Sequence, residues 1–100
     1  MEDERILCAA IHYNDGNIHQ NQPKEIKSGF IIAGYRHDNC IYIKSLIDSN
    51  LREVEQGFLT NKKRFVDRYE AFEIAQKAGQ ILDSELAKEK GKRLLSEDLW

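Results

Sequence analysis

The stretch Arg64-Phe65-Val66-Asp67-Arg68-Tyr69-Glu70-Ala71-Phe72-Glu73-Ile74-Ala75-Gln76-Lys77-Ala78-Gly79 contains a strand end, a helix start, a helix body and a stop. Asp67 and Glu70 have the spacing of a capping box, in which the first carboxylate accepts from free amides of the opening turn and the second reaches back. Ala71, Phe72, Ile74, Ala75 and Ala78 recur at three- and four-residue steps and form a buried stripe. Gly79 stands where a left-handed C-terminal cap is expected. Upstream, Val54 to Thr60 reads as a short strand and Asn61-Lys62-Lys63 as a turn into Arg64-Phe65-Val66. A hairpin therefore feeds the second main helix.

Toward the N-terminus, Arg5 to Tyr13 is an apolar run that predicts a central strand, closed by Asn14-Asp15-Gly16-Asn17. The Asp-Gly step signals a tight hairpin, since glycine accepts the positive φ that such turns require. Ile18 to Lys27 is polar and contains Pro23, and it reads either as a frayed edge strand or as a loop. Ser28 to Tyr35, bounded by glycines, predicts a buried strand. From His37 the positions Cys40, Ile41, Ile43, Lys44, Leu46 and Ile47 follow helical spacing, with Asp38 or Asn39 as cap and an end near Asn50. Asp83 to Gly91 predicts an exposed helical turn or short helix anchored by Leu82 and Leu86. Trp100 is expected to dock on the core or at a subunit interface. The expected fold class is α+β: one domain over residues 1–100, a small antiparallel sheet of about four strands and two main helices.

A chain of 100 residues with 41% apolar and 32% charged side chains has the composition of a single globular domain. Fifteen basic against 17 acidic groups give a net charge of -2, which excludes the broad basic field of a protein dedicated to long DNA or RNA. Any anionic ligand must meet a local basic cluster. The longest apolar runs, Ile6 to Ile11 and Phe30 to Gly34, are far shorter than the roughly 20 residues that span a bilayer. The acidic start Met1-Glu2-Asp3-Glu4 lacks the features of a secretory signal, so a cytoplasmic location is expected. Cys8 and Cys40 form no CxxC pair and are expected as reduced, buried thiols. His37 and Cys40 have HxxC spacing without a second pair, so no metal and no cofactor is expected.

Two clusters carry chemistry. Gly34-Tyr35-Arg36-His37 lies where a strand ends and a helix begins, a place suited to phosphate through free amides, a guanidinium and an imidazole; an ordinary solvated loop has the same appearance. Gln56-Gly57-Phe58-Leu59-Thr60 with Lys62, Lys63, Arg64, Phe65, Asp67 and Arg68 interleaves aromatics with cations, as nucleotide binding needs. The alternative is a hairpin with its aromatics in the core, and Asp67 is first a helix cap. No nucleophile with a base partner and no phosphate-loop, dinucleotide, zinc-protease or hydrolase motif occurs. No catalytic residue is assigned and an enzyme is not expected.

In order and spacing, Gly34-Tyr35-Arg36-His37, Gln56 to Thr60, Arg64 to Arg68 with Glu70-Ala71, Ala78-Gly79-Gln80 and Ser96-Glu97-Asp98-Leu99-Trp100 resemble the Thoeris anti-defence family of phage nucleotide sponges. Members of that set overlap with inhibitors of cyclic-oligonucleotide (CBASS) immunity. The resemblance implies a phage immune-evasion protein that sequesters a cyclic nucleotide or a cyclic ADP-ribose isomer in the host cytoplasm without cleaving it. Carried over residue by residue, Arg36 and Arg64 become phosphate ligands, Phe58 a base-stacking ring, Thr60 or Asp67 a base-edge or ribose contact, and His37 a supporting donor. Arg68 and Arg93 are further candidates. A homo-oligomer, a dimer or higher, is expected, with pockets shared between copies. The chain departs from the pattern at Asn39, where an acidic residue is usual, and over Asn14 to Lys27. The other readings are a nucleotide-degrading enzyme using His37 with a carboxylate, and a protein that inhibits a host factor by direct contact.

Overall fold

Strand β1 (Ile6–Asn14) pairs on both sides, with β2 (Phe30–Gly34) on one edge and β3 (Arg52–Thr60) on the other. β4 (Phe65–Asp67) then adds to β3, giving a four-stranded sheet in the order β2-β1-β3-β4, antiparallel throughout. The computed structural model describes residues 3–47, 51–89 and 91–100. Helix α1 (His37–Ile47) links β2 to β3, while α2 (Arg68–Lys77), α3 (Ser84–Glu89) and a 3-10 turn (Ser96–Asp98) follow β4. The expected α+β architecture, four antiparallel strands with two main helices, is the one observed.

Side chains alternate along β1, so Ala9, Ile11 and Tyr13 share one face. Ala9 joins Phe58 and Val66 beneath Ala71, Phe72 and Ala75 of α2, and Ala87, Leu94 and Leu99 close this cluster. Ile11, Tyr13 and Ile32 form a second cluster under Cys40 of α1. Both main helices therefore cover the same face. Gly57 lies opposite Ala10 on β1 and Asp67 on β4: a Cβ there would lie 2.2 Å from the Val66 carbonyl oxygen and 2.9 Å from the Phe65 ring.

Asp67 caps α2 as expected, its carboxylate accepting from the amides of Tyr69 (3.0 Å) and Glu70 (2.8 Å). The second half of the expected box is replaced by an ion pair, with Glu70 accepting from the Arg64 guanidinium at 2.6 Å. Gly79 has φ +69°, and the amides of Gly79 and Gln80 donate to Gln76 and Ala75, closing the helix with the predicted left-handed cap. Ala78, expected in the buried stripe, is exposed. In α3 the anchor is Ala87; Leu82 and Leu86, expected to point inward, are exposed because this short helix rests on the core through its small residue. Helix α1 buries only His37 and Cys40, leaving Ile41, Tyr42, Leu46 and Ile47 in solvent. The expected end of this helix near Asn50 lies outside the described residues.

No tight hairpin forms at Asp15-Gly16. Gly16 does take a positive φ of 82°, but the chain leaves the turn as a long loop and returns to β2 only at Phe30. Of the two readings of Ile18 to Lys27, the loop is the one found, with an isolated bridge between Ile18 and Gly29. This loop crosses the sheet face that the helices leave open: Gln22 accepts from the Ile31 amide of one edge strand (3.0 Å) and Glu25 from the Phe65 amide of the other (3.0 Å). His12 Nε2 meets the Ser28 carbonyl at 2.8 Å under it.

Between Ile6 and Cys8 the register of β1 against β3 shifts by a bulge at Leu7. On the other edge of β1, beyond its last pair with β2, the Gln80 side chain donates to the Ile6 carbonyl and accepts from the Ile6 amide, both at 2.8 Å. Cys8 and Cys40 are free thiols; Cys40 is buried and burial pushes its pKa up to about 11, whereas Cys8 is half-buried rather than buried as expected. Among the described residues no helix is long and apolar enough to cross a membrane.

Candidate functional site

β2 ends at Gly34 and α1 begins at His37, so Tyr35 and Arg36 make the corner. Asn39 seals it: its side-chain oxygen accepts from the Arg36 amide at 2.9 Å, and its own amide donates to the Arg36 carbonyl at 3.0 Å. At the position where the resemblance carries an acid, an uncharged acceptor performs this capping. The Arg36 guanidinium donates to the Trp100 main-chain oxygen at 2.6 Å, and the Trp100 ring lies 4.8 Å from that of Tyr35. Trp100 also packs on the α2 cluster, so it docks on the core, one of its two expected places.

His37 is buried. Its Nε2 lies 2.7 Å from the Gly57 carbonyl oxygen, which can only accept, so Nε2 carries the proton and donates it. Its ring stands edge-on to Phe58 at 4.9 Å. Burial is the main influence that lowers its pKa below the ordinary 6.5, with the Arg68 charge acting in the same direction. The folded chain therefore holds His37 neutral. Below pH 6.5 the unfolded chain takes up a proton that the folded chain refuses, so this contribution to stability is present above 6.5 and is lost as pH falls toward the lowered folded value. The melting temperature of the wild type is expected to fall between pH 6.5 and 5.5 more steeply than that of His37→Gln, which keeps a donor without a titrating ring. Equal slopes in the two proteins would remove His37 from the acid response.

Arg68 opens α2 and reaches back over β3. Its guanidinium donates to the Leu94 carbonyl (2.8 Å) and the Gln56 side-chain oxygen (2.6 Å). Burial, followed by the neighbouring charge of Arg93, lowers its pKa. Both hydrogen-bond partners are neutral, so the charge is held in place without being cancelled by contact. Arg93 is exposed on the adjoining loop.

These residues border one open cleft of about 370 Å³ between the starts of α1 and α2. Arg36, His37, Asp38 and Ile41 form one wall, Gln56 and Arg68 the other, and Leu95 to Glu97 the rim. Three residues singled out from sequence, Arg36, His37 and Arg68, thus meet, with Arg93 beside them. The other four lie elsewhere. Phe58 is 0% exposed in the α2 cluster and presents no ring face to a base, because strand alternation turns it inward. Thr60 is buried and donates to Glu4. Arg64 is bound at both ends, to Glu4 at 2.8 Å and to Glu70 at 2.6 Å, and these bonds raise its pKa above the ordinary arginine value. Asp67 spends its carboxylate on the helix cap.

Gln56 and Ser96 line the cleft although the sequence assigned neither a binding role. The available signal was position: each opens one of the segments that carry the resemblance, Gln56 to Thr60 and Ser96 to Trp100. Among the described residues no group of three or more His, Cys, Asp or Glu is placed to hold a metal ion.

No curated protein and no solved structure matches the chain. The family model described as phage T4 y16D protein matches residues 5–100, a span that includes every strand and helix above and every residue of the cleft. The chain thus belongs to the phage T4 y16D protein family.

Proposed function

We propose that this phage protein binds a cyclic nucleotide or a cyclic ADP-ribose isomer through its phosphate at the cleft between α1 and α2, and sequesters it without cleaving it. One observation carries the reading: Arg68 is half-buried, oriented by two neutral oxygens, repelled by Arg93 and attracted by Glu97, Glu53 and Asp98 without a hydrogen bond to any of them, which leaves a positioned cation with no counter-ion in hydrogen-bond contact. A phosphate placed there gains a charge-assisted bond and relieves the repulsion between the two arginines. Arg36 and Gln56 supply further donors on the same cleft. The resemblance to nucleotide sponges supplies the ligand class. The exposed apolar side of α1, with Ile41, Tyr42, Leu46 and Ile47, is where a second copy sits in this reading.

The test is to incubate the pure protein with cyclic nucleotides and cyclic ADP-ribose isomers, isolate the bound fraction, heat it and chromatograph what is released. A ligand depleted from solution and returned intact is the expected result. Arg68→Gln should weaken its binding by about 1.5–3 kcal/mol, roughly ten- to a hundredfold, while the already neutralised Arg64→Gln leaves it unchanged. Ligand returned altered means an enzyme, and nucleotides left free in solution turn the search to a protein partner; either outcome overturns the reading. Sedimentation of the bound species reports the second copy, and a monomeric mass removes it.

A further inference from the structure

The opposite side of the sheet carries a larger cleft, of about 950 Å³, at the upper end of the size range of small-molecule sites. Its floor is the sheet face that the helices leave open, with the side chains of Leu7, Ile31 and Leu59. The bulge after Ile6 turns Leu7 outward, and it is 50% exposed. One wall is the loop around Pro23, the other the β3–β4 turn, where Lys63 has φ 61°.

Charge is unevenly distributed here. Lys24, Lys62 and Lys63 line the cleft, all exposed, and among the described residues none of them takes part in a salt bridge. Arg64 is neutralised by Glu4 and Glu70, and Glu25, the only carboxylate in the lining among the described residues, accepts from the Phe65 amide. A chain of net charge -2 thus gathers three exposed lysines, none in a salt bridge among the described residues, around an aliphatic floor. The floor side chains offer no polar atom to read a ligand's edge, while a flat apolar ring lies well on a sheet face.

We propose that this cleft is a second binding site, specific for a planar aromatic anion, with the ring on Leu7, Ile31 and Leu59 and the acidic group among Lys24, Lys62 and Lys63. The site is independent of the one at Arg68. The probe is 1-anilinonaphthalene-8-sulfonate, measured by equilibrium dialysis against the full chain. One molecule is expected to bind per chain, about tenfold or more weaker in Lys62→Glu/Lys63→Glu and in Ala33→Trp, which fills the floor from an exposed position without touching a charge. The uncharged N-phenyl-1-naphthylamine should bind about tenfold or more weaker than the sulfonate. Bound probe should also slow alkylation of Cys8, which lines this cleft, by N-ethylmaleimide, read by peptide mass. Arg68→Gln should change none of these results. Absence of binding, equal affinity in both variants, equal affinity for the neutral probe, or an unprotected Cys8 each overturns the site.

Discussion

Phe58→Ala is expected to lower the stability of the protein by about 3–5 kcal/mol, the range for removing a large aromatic from a packed core. The ring is 0% exposed and shares its cluster with Ala9, Val66, Ala71, Phe72 and Ala75, with the His37 ring nearly perpendicular to it at 4.9 Å. Its removal leaves a void between the sheet and α2 that small alanines cannot close. Against a typical total of about 5–15 kcal/mol, this takes a large part of the folded margin. Urea titration followed by circular dichroism reads the change directly. At a temperature where the variant is still folded, ligand affinity at the Arg68 cleft should stay within a few fold of wild type. A stability loss under about 1 kcal/mol together with a large loss of affinity would return the ring to the ligand and overturn the core assignment.

Gly57→Ala is expected to act on both fold and site. The backbone of Gly57 is not in the left-handed region, so the requirement is for space: an added Cβ meets the Val66 carbonyl oxygen at 2.2 Å and the Phe65 ring at 2.9 Å. A flexible side chain could swing away, but the carbonyl belongs to the neighbouring strand. β4 must therefore shift off β3, and overpacking that moves backbone costs about 1–3 kcal/mol. Residues next along the chain are Asp67, which caps α2, and Arg68, which lines the cleft. The Gly57 carbonyl also accepts from His37. The expected result is a melting temperature lowered by ten degrees or so, with amide exchange accelerated across β4 and the first turn of α2. A variant that melts within about two degrees of wild type would show that the two strands have slack.

Local signals made parts of this fold legible. Asp67 and Gly79 bracket α2 by chemistry that acts within a few residues, and both do in the structure what their positions imply. The segment from Asp15 to Gly29 was opaque for the opposite reason. It is held by Gln22 and Glu25, whose partners Ile31 and Phe65 belong to the two outer strands, and no local pattern announces such contacts. In α3, leucine was the natural anchor by hydrophobicity, but close packing selected Ala87. The site divides along the same line. Residue type identifies arginines as phosphate ligands equally well at 64 and 68; only the folded arrangement shows that Arg64 meets two carboxylates while Arg68 meets neutral oxygens. Strand alternation places Phe58 and Gln56 on one face, and the position of α2 decides that the first is enclosed and the second borders the cleft.

The reciprocal pair between Gln80 and Ile6 has a kinetic meaning as well. Its side-chain amide stands in for the peptide group of a neighbouring strand where β1 runs past its last pair with β2. β1 precedes β2 and β3 in the chain and depends on both, and finally on a residue 74 positions away. Every partner of the central strand emerges after it, so during vectorial synthesis β1 waits with open edges, and the backbone groups of Ile6 are paired only once Gln80, beyond α2, has arrived.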